Sequence, residues 1–198
     1  MTRRPWALLI VVALLAAYML RSWYEREIAL EIGGTYDEMV KGSSARFSSR
    51  FPGEGTWPGR PKSDAQLRFI DPQYGFVTPK SSDFYVIFKG DVIESLTIYP
   101  HIEPLLLDDA LKVVLELQDQ WRRGGWMDKK QKRFPPFADT PQWRAKLRDG
   151  PNGGTTYWYA GDKYQALLSV NRFKDRKHPE EERYRIFLNV GKPWTPYP

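Results

Sequence analysis

There is no cysteine in this chain of 198 residues, and there are only two histidines, His101 and His178. The first absence excludes a disulfide framework, lipid attachment at a cysteine and any thiolate metal site. The second leaves little for imidazole chemistry. His178 lies in a highly charged stretch, Lys174 to Glu182, and reads as a solvated loop histidine; His101 follows Tyr99-Pro100 at a strand end. No Gly-x-Ser-x-Gly elbow and no His-Glu-x-x-His helix is present, so neither histidine has the sequence context of a nucleophile or zinc enzyme. No catalytic residue, cofactor or metal site is expected. Excess charge is lacking too. The formal net charge is +6, but Arg3, Arg4 and Arg21 lie in a leading segment without acids, which leaves 27 basic against 24 acidic residues from Ser22 onward. That balance does not point to nucleic acid.

What the chain does have is one long apolar run at its start, Pro5 to Leu20, flanked by Arg3, Arg4 and Arg21. Its side chains include Pro5, Trp6, Leu8, Leu9, Ile10, Val11, Val12, Leu14, Leu15 and Leu20. Sixteen residues at ~1.5 Å each reach ~24 Å, a little short of a ~30 Å hydrocarbon core. Trp23 and Tyr24 extend the run toward the interface, with Arg21 snorkelling. The segment ends in bulky or charged residues apart from Ser22, without the small-x-small pattern of a cleaved signal. The run therefore predicts an uncleaved signal anchor, a single transmembrane helix. Arg3 and Arg4 favour a cytoplasmic N-terminus. In a bacterium this puts the body of the chain in the periplasm, held to the inner membrane.

The expected organisation has three parts. Residues 1–21 form the cytoplasmic stub and transmembrane helix, 22–65 a stalk and Pro/Gly-rich linker, and 66–198 an α+β domain. Ser22 to Ile32 would continue the membrane helix. Thr35-x-x-Glu38 is a capping-box pattern that can start a short helix. Gln66 to Ile70 reads as a short strand, and Phe84–Phe88 and Val92–Ile98 around Lys89-Gly90-Asp91 as a hairpin. Leu107, Ala110, Leu111, Val114, Leu117 and Trp121 recur at helical spacing. Asp108 or Asp109 is the expected cap and Gly124-Gly125 the stop. A shorter helix follows Thr140-Pro141, where Thr140 caps and Pro141 takes the first helical position. Thr155–Tyr159, Lys163–Phe173 and Tyr184–Val190 alternate with period two, which means one buried and one wetted face. The fold expected is an antiparallel sheet packed by one long and one short helix.

The strongest basic cluster is Lys129-Lys130-Gln131-Lys132-Arg133, followed by Phe134-Pro135-Pro136-Phe137. Lys129, Lys130, Lys132, Arg133, Phe134 and Phe137 are the candidate partner-binding residues, for an acidic protein or anionic lipid; a solvated linker between two helices is the plainer reading. Trp126, Trp143, Trp158 and Trp194 are large aromatics suited to cores and interfaces alike. Trp143 and Trp158 are expected in the core, and the tail at Trp194 is expected to pack on its own domain.

The runs Asp139-Thr140-Pro141-x-Trp143-Arg144-x-x-Leu147-Arg148, Tyr157-Trp158-x-Ala160-Gly161-Asp162-Lys163-Tyr164-Gln165 and Glu181-Glu182-Arg183-Tyr184 resemble a group of single-pass proteobacterial proteins associated with type VI secretion effector–immunity loci. The resemblance spans about Asp71 to Trp194 and carries no catalytic residue. It implies an immunity protein, without enzymatic activity, that occludes a secreted toxin in the periplasm. Two other classes fit the same sequence: a bitopic structural subunit of an envelope or secretion assembly, and a cell-envelope hydrolase working with two carboxylates alone.

Overall fold

The computed structural model describes residues 26–128, 134–149 and 153–194. The described chain is α+β. The strands are β1 Glu27–Leu30, β2 Thr56–Gly59, β3 Gln66–Phe69, β4 Phe76–Val77, β5 Phe84–Lys89, β6 Val92–Ile98, β7 Met127–Asp128, β8 Gly154–Ala160, β9 Tyr164–Phe173 and β10 Arg183–Gly191. The described helices are α1 Tyr36–Gly42, α2 Leu107–Arg123 and α3 Pro141–Arg148.

Two sheets form where one was expected. A seven-stranded antiparallel sheet runs in the order β2-β5-β6-β10-β9-β8-β7. A three-stranded sheet, β1-β3-β4, contains the parallel pair β1/β3, with Ile28 opposite Leu67 and Leu30 opposite Phe69. Parallel pairing needs a long connection, and the stretch from Glu31 to Ala65, with α1 and β2 in it, supplies one. Residues read as stalk and linker thus belong to the folded body, and Glu27–Leu30 is strand rather than a continuing helix.

The transmembrane helix and signal anchor must also be corrected. No helix among the described residues is long and apolar enough to cross a membrane. Pro5 to Leu20, on which that expectation rested, lies outside the described residues.

α1 carries the full capping box: the Glu38 amide donates to Thr35 Oγ1, and the Thr35 amide donates to Glu38 Oε2 at 2.9 Å. Tyr36 then packs against Phe47, Trp57 and Phe88. α2 buries Leu107, Ala110, Leu111, Val114, Leu117, Gln118 and Trp121, the stripe legible in sequence with Gln118 added. Each large apolar side chain there contributes roughly 1.5–3 kcal/mol. The cap of α2 differs from expectation: Leu106 occupies the N-cap without a side-chain bond, and Asp108 and Asp109 lie in the first turn, where their charge favours the helix dipole. Asp108 reaches Arg144 on α3 instead. α3 starts as read, with the Trp143 amide on Thr140 Oγ1 and Pro141 in the first turn.

The two sheets and α2 meet at an aromatic cluster. Phe69 and Phe76 stack at 5.2 Å, Phe76 meets Trp121 edge-on at 5.7 Å, and Trp126 lies parallel to Tyr164 at 6.3 Å. Trp126 is therefore core, as are Trp143 and Trp158.

Candidate functional site

The inner face of the large sheet carries Val86, Leu96, Ile98, Tyr184, Ile186, Leu188, Leu168, Val170 and Trp158, all buried. Helices α2, α3 and α1 and the small sheet lie on this side, meeting Trp158, Gly154, Phe88 and Tyr164 respectively. Strand alternation sends the intervening residues to the opposite face, which no described helix covers.

That outer face is built in register. One row crosses five strands: Tyr85 (β5), Thr97 (β6), Asn189 (β10), Leu167 (β9) and Tyr157 (β8). A second sets Phe187 opposite Ser169 and Thr155, with Tyr99 edge-on to Phe187 at 5.5 Å. A third pairs Arg185 with Asn171. Tyr85 is 36% exposed, and Ile87, Ser95, Thr97, Tyr99, Phe187 and Leu167 are half-buried. Asn189 Nδ2 donates to Leu96 O and Thr97 Oγ1, both at 2.9 Å, which holds its side chain flat. Tyrosine, serine and asparagine on a rigid frame supply large contact area and adaptable hydrogen bonding at small entropic cost.

Two segments border the face. Phe134 meets Tyr157 edge-on at 5.0 Å. At the other side the Trp194 amide donates to Gln165 Oε1 at 3.0 Å, and Gln165 donates to Tyr159 Oη at 3.1 Å. The tail thus rests on its own sheet as far as Trp194, whose side chain stays 46% exposed.

Of the expected partner-binding segment, Phe134 and Phe137 lie among the described residues. Lys129, Lys130, Lys132 and Arg133 lie outside the described residues. Phe137 is only 1% exposed and packs on Trp143 at 4.8 Å; its backbone N–H and C=O pair with the Gln118 amide at 2.8 and 2.9 Å. Phe137 is core and does not face a partner, whereas Phe134 is half-buried beside the open face. Gln118 was invisible to pattern reading because a polar residue on an apolar stripe has no signature of its own.

The titratable groups are structural in their surroundings. His101 is buried, and its Nε2 accepts the Ile186 amide at 3.2 Å, standing in for strand pairing where β6 has ended. Burial, then the cation of Arg185, lowers its pKa to about 4, outweighing the nearby negative charge of Asp83. The ring is neutral at pH 7. His178 Nδ1 lies 3.0 Å from Asp175 Oδ2 in the β9–β10 connection. Asp71, with 2% of its side chain exposed, receives Lys163 Nζ at 2.7 Å, Tyr164 Oη at 3.1 Å and the amides of Gln73 and Tyr74. Burial pushes its pKa upward, yet Lys163, the two amides and Tyr164 together hold it down at about 2. That carboxylate pins the β3–β4 turn to the β8–β9 turn. Two carboxylates do come together, Asp108 and Asp139, but both are exposed and both hold Arg144. Among the described residues no group of three or more His, Asp or Glu is placed to hold a metal ion. A groove of about 220 Å³ between β4 and α2 is lined by Val77, Thr78, Pro79, Val113, Glu116, Leu117 and Gln120, with Glu116 its one acid. The Gln120 amide closes the edge of β4, pairing with Val77 N–H at 2.8 Å and Val77 O at 3.0 Å.

No family model, curated protein or solved structure matches the chain. What the fold and site define is an α+β body that packs every described helix on one side of a large antiparallel sheet.

Proposed function

We propose that this chain is a non-catalytic protein-binding domain that occludes its partner with the open face of the seven-stranded sheet. The observation that carries this reading is the outer row Tyr85–Thr97–Asn189–Leu167–Tyr157, an aromatic and polar strip left half-exposed on a frame held from behind by a continuous core. Interfaces enrich tyrosine and phenylalanine at their centres and depend on rigid presentation. The resemblance to proteins of effector–immunity loci gives the reading its particular form: an immunity protein that covers the working surface of a secreted toxin.

The test places a large charge in the middle of the row. Thr97 is half-buried and, among the described residues, its hydroxyl accepts from Asn189 alone, so Thr97→Arg costs little fold stability. Co-expression of the full chain with the toxin gene beside its own should protect cells, and T97R should abolish protection while melting within a few degrees of wild type. Undiminished protection by a folded T97R removes the sheet face from the function. Failure of the wild-type chain to protect removes the immunity form.

A further inference from the structure

Among the described residues, Arg185 on the outer face is a cation without a carboxylate. Arg172 on β9 and Arg183 on β10 hold Glu182 and Glu181 respectively. Arg185, two residues further along β10, makes no salt bridge and no hydrogen bond among the described residues, and its Nε is buried without an acceptor. Its guanidinium lies 3.9 Å from the centroid of the Phe173 ring. Opposite it stands Asn171, whose amide donates to Ser169 Oγ at 3.4 Å. Tyr99 and Phe187 flank the same region of the face. The positive charge is also felt inward, where it opposes protonation of His101.

A half-buried cation without a counter-ion is costly. Arginine stacked on an aromatic ring has lost much of its freedom, and its planar fork matches a carboxylate by two parallel hydrogen bonds. Arginine and tyrosine are also the residue types over-represented where interface energy concentrates. We propose, resting on the binding role above, that Arg185 is the anchor of that site and takes an Asp or Glu carboxylate from a protein partner. The residue presenting the acid must be flanked by apolar groups that settle on Tyr99 and Phe187. A nucleic-acid phosphate fits less well, because phosphate backbones are held by several cations in a line, and the neighbouring cation on this face, Arg183, is already held by Glu181.

The test uses a random 12-residue peptide library displayed on phage and panned on the full-length chain. Recovered peptides whose binding is lost in T97R should share an acidic residue beside an apolar one. Changing that acid to its amide should weaken binding to wild type at least tenfold. R185Q should do the same, and the two changes together should cost no more than either alone, the mark of a direct pair. R185K should fall between wild type and R185Q, because an ammonium lacks the fork. Peptides that need the face but ignore both the acid and R185Q overturn the anchor and leave the face. A panning that returns nothing sensitive to T97R overturns both. Tight, R185-dependent binding of a single-stranded 12-mer oligonucleotide, with no acid-dependent peptide, also overturns it. Should R185Q not fold, the acid-to-amide change measured on the wild-type chain decides alone.

Discussion

Gln118 is the residue whose removal tests the packing logic most directly. It sits on α2, fully buried, and its amide satisfies both backbone groups of Phe137. Gln118→Leu keeps nearly the same volume, so little cavity forms and the hydrogen bonds are isolated. It leaves one buried N–H and one buried C=O without partners. Each orphaned group costs about 1–3 kcal/mol, giving roughly 2–5 kcal/mol for the pair, slightly offset by the apolar gain of leucine. For a body of this size about 2–4 °C in Tm accompanies each kcal/mol, so a fall of roughly 4–20 °C is expected. Gln120→Leu is the internal comparison. That amide makes the same two-bond pairing, to Val77, but at an exposed edge. Water replaces the lost bonds there, and the cost should stay near ~1 kcal/mol or below. Urea unfolding of the two variants side by side gives both numbers. If Q118L lies within ~0.5 kcal/mol of wild type, or if the two variants lose equal stability, burial does not set the strength of these pairings and the reasoning is wrong.

Acid should weaken the fold in two stages. Unfolded His101 takes up its proton near pH 6.5 but the folded ring only near pH 4; the stability it contributes is whole above pH 6.5 and lost as pH falls toward 4, about 3 kcal/mol in all. Asp71, held at about 2 against an unfolded value near 3.9, contributes at most about 2 kcal/mol once solvent screening of its exposed lysine partner is allowed for, and this persists above pH 4 and disappears below it. Urea midpoints from pH 7.5 to 3 should show the first loss in wild type and not in H101Q, and a wild-type-like slope in H101Q would contradict the assignment. Gly154 lies against α3, where an added Cβ would come 2.6 Å from both the Phe137 and the Trp143 ring. Gly154→Ala should therefore cost about 1–3 kcal/mol by overpacking, read as a lowered urea midpoint; an unchanged midpoint would mean that the two rings yield freely.

Much of the local structure was legible in the sequence because local rules govern it. The stripe of α2, the Thr140-Pro141 start of α3, the capping box of α1 and the Gly-Asp turns all involve residues within a few positions of one another. What escaped was set at long range. β1 is four residues, Glu27–Leu30, too short to show a period, and it is a strand only because Gln66–Phe69 lies beside it. The cap expected from Asp108 was lost to Arg144, 36 residues away. Phe137 looked like an apolar handle on a basic loop. The side chain that draws it inward, Gln118, is 19 residues distant and polar.

The same distinction bears on the binding face. Period two in β9 separates Tyr164, Ala166, Leu168 and Val170 from Gln165, Ser169 and Asn171, and it labels the second set as wetted. In the fold that set is not uniform. Gln165 and Ser169 are buried, Gln165 beneath the backbone of Trp194, while Thr97, Leu167 and Phe187 remain half-open. Which outward residues stay available depends on which neighbouring strand brings what: β6 contributes Thr97, and the residue just past its end is Tyr99, both more than 65 positions before the β9 and β10 residues beside them. Arg185 shows the effect most clearly. In sequence it is one of four arginines within fourteen residues, Arg172, Arg176, Arg183 and Arg185, beside a triplet of glutamates, and nothing local sets it apart from the others. Strand pairing instead gives Glu182 to Arg172 and Glu181 to Arg183. Arg185 is left stacked on Phe173, its charge directed at whatever meets the face.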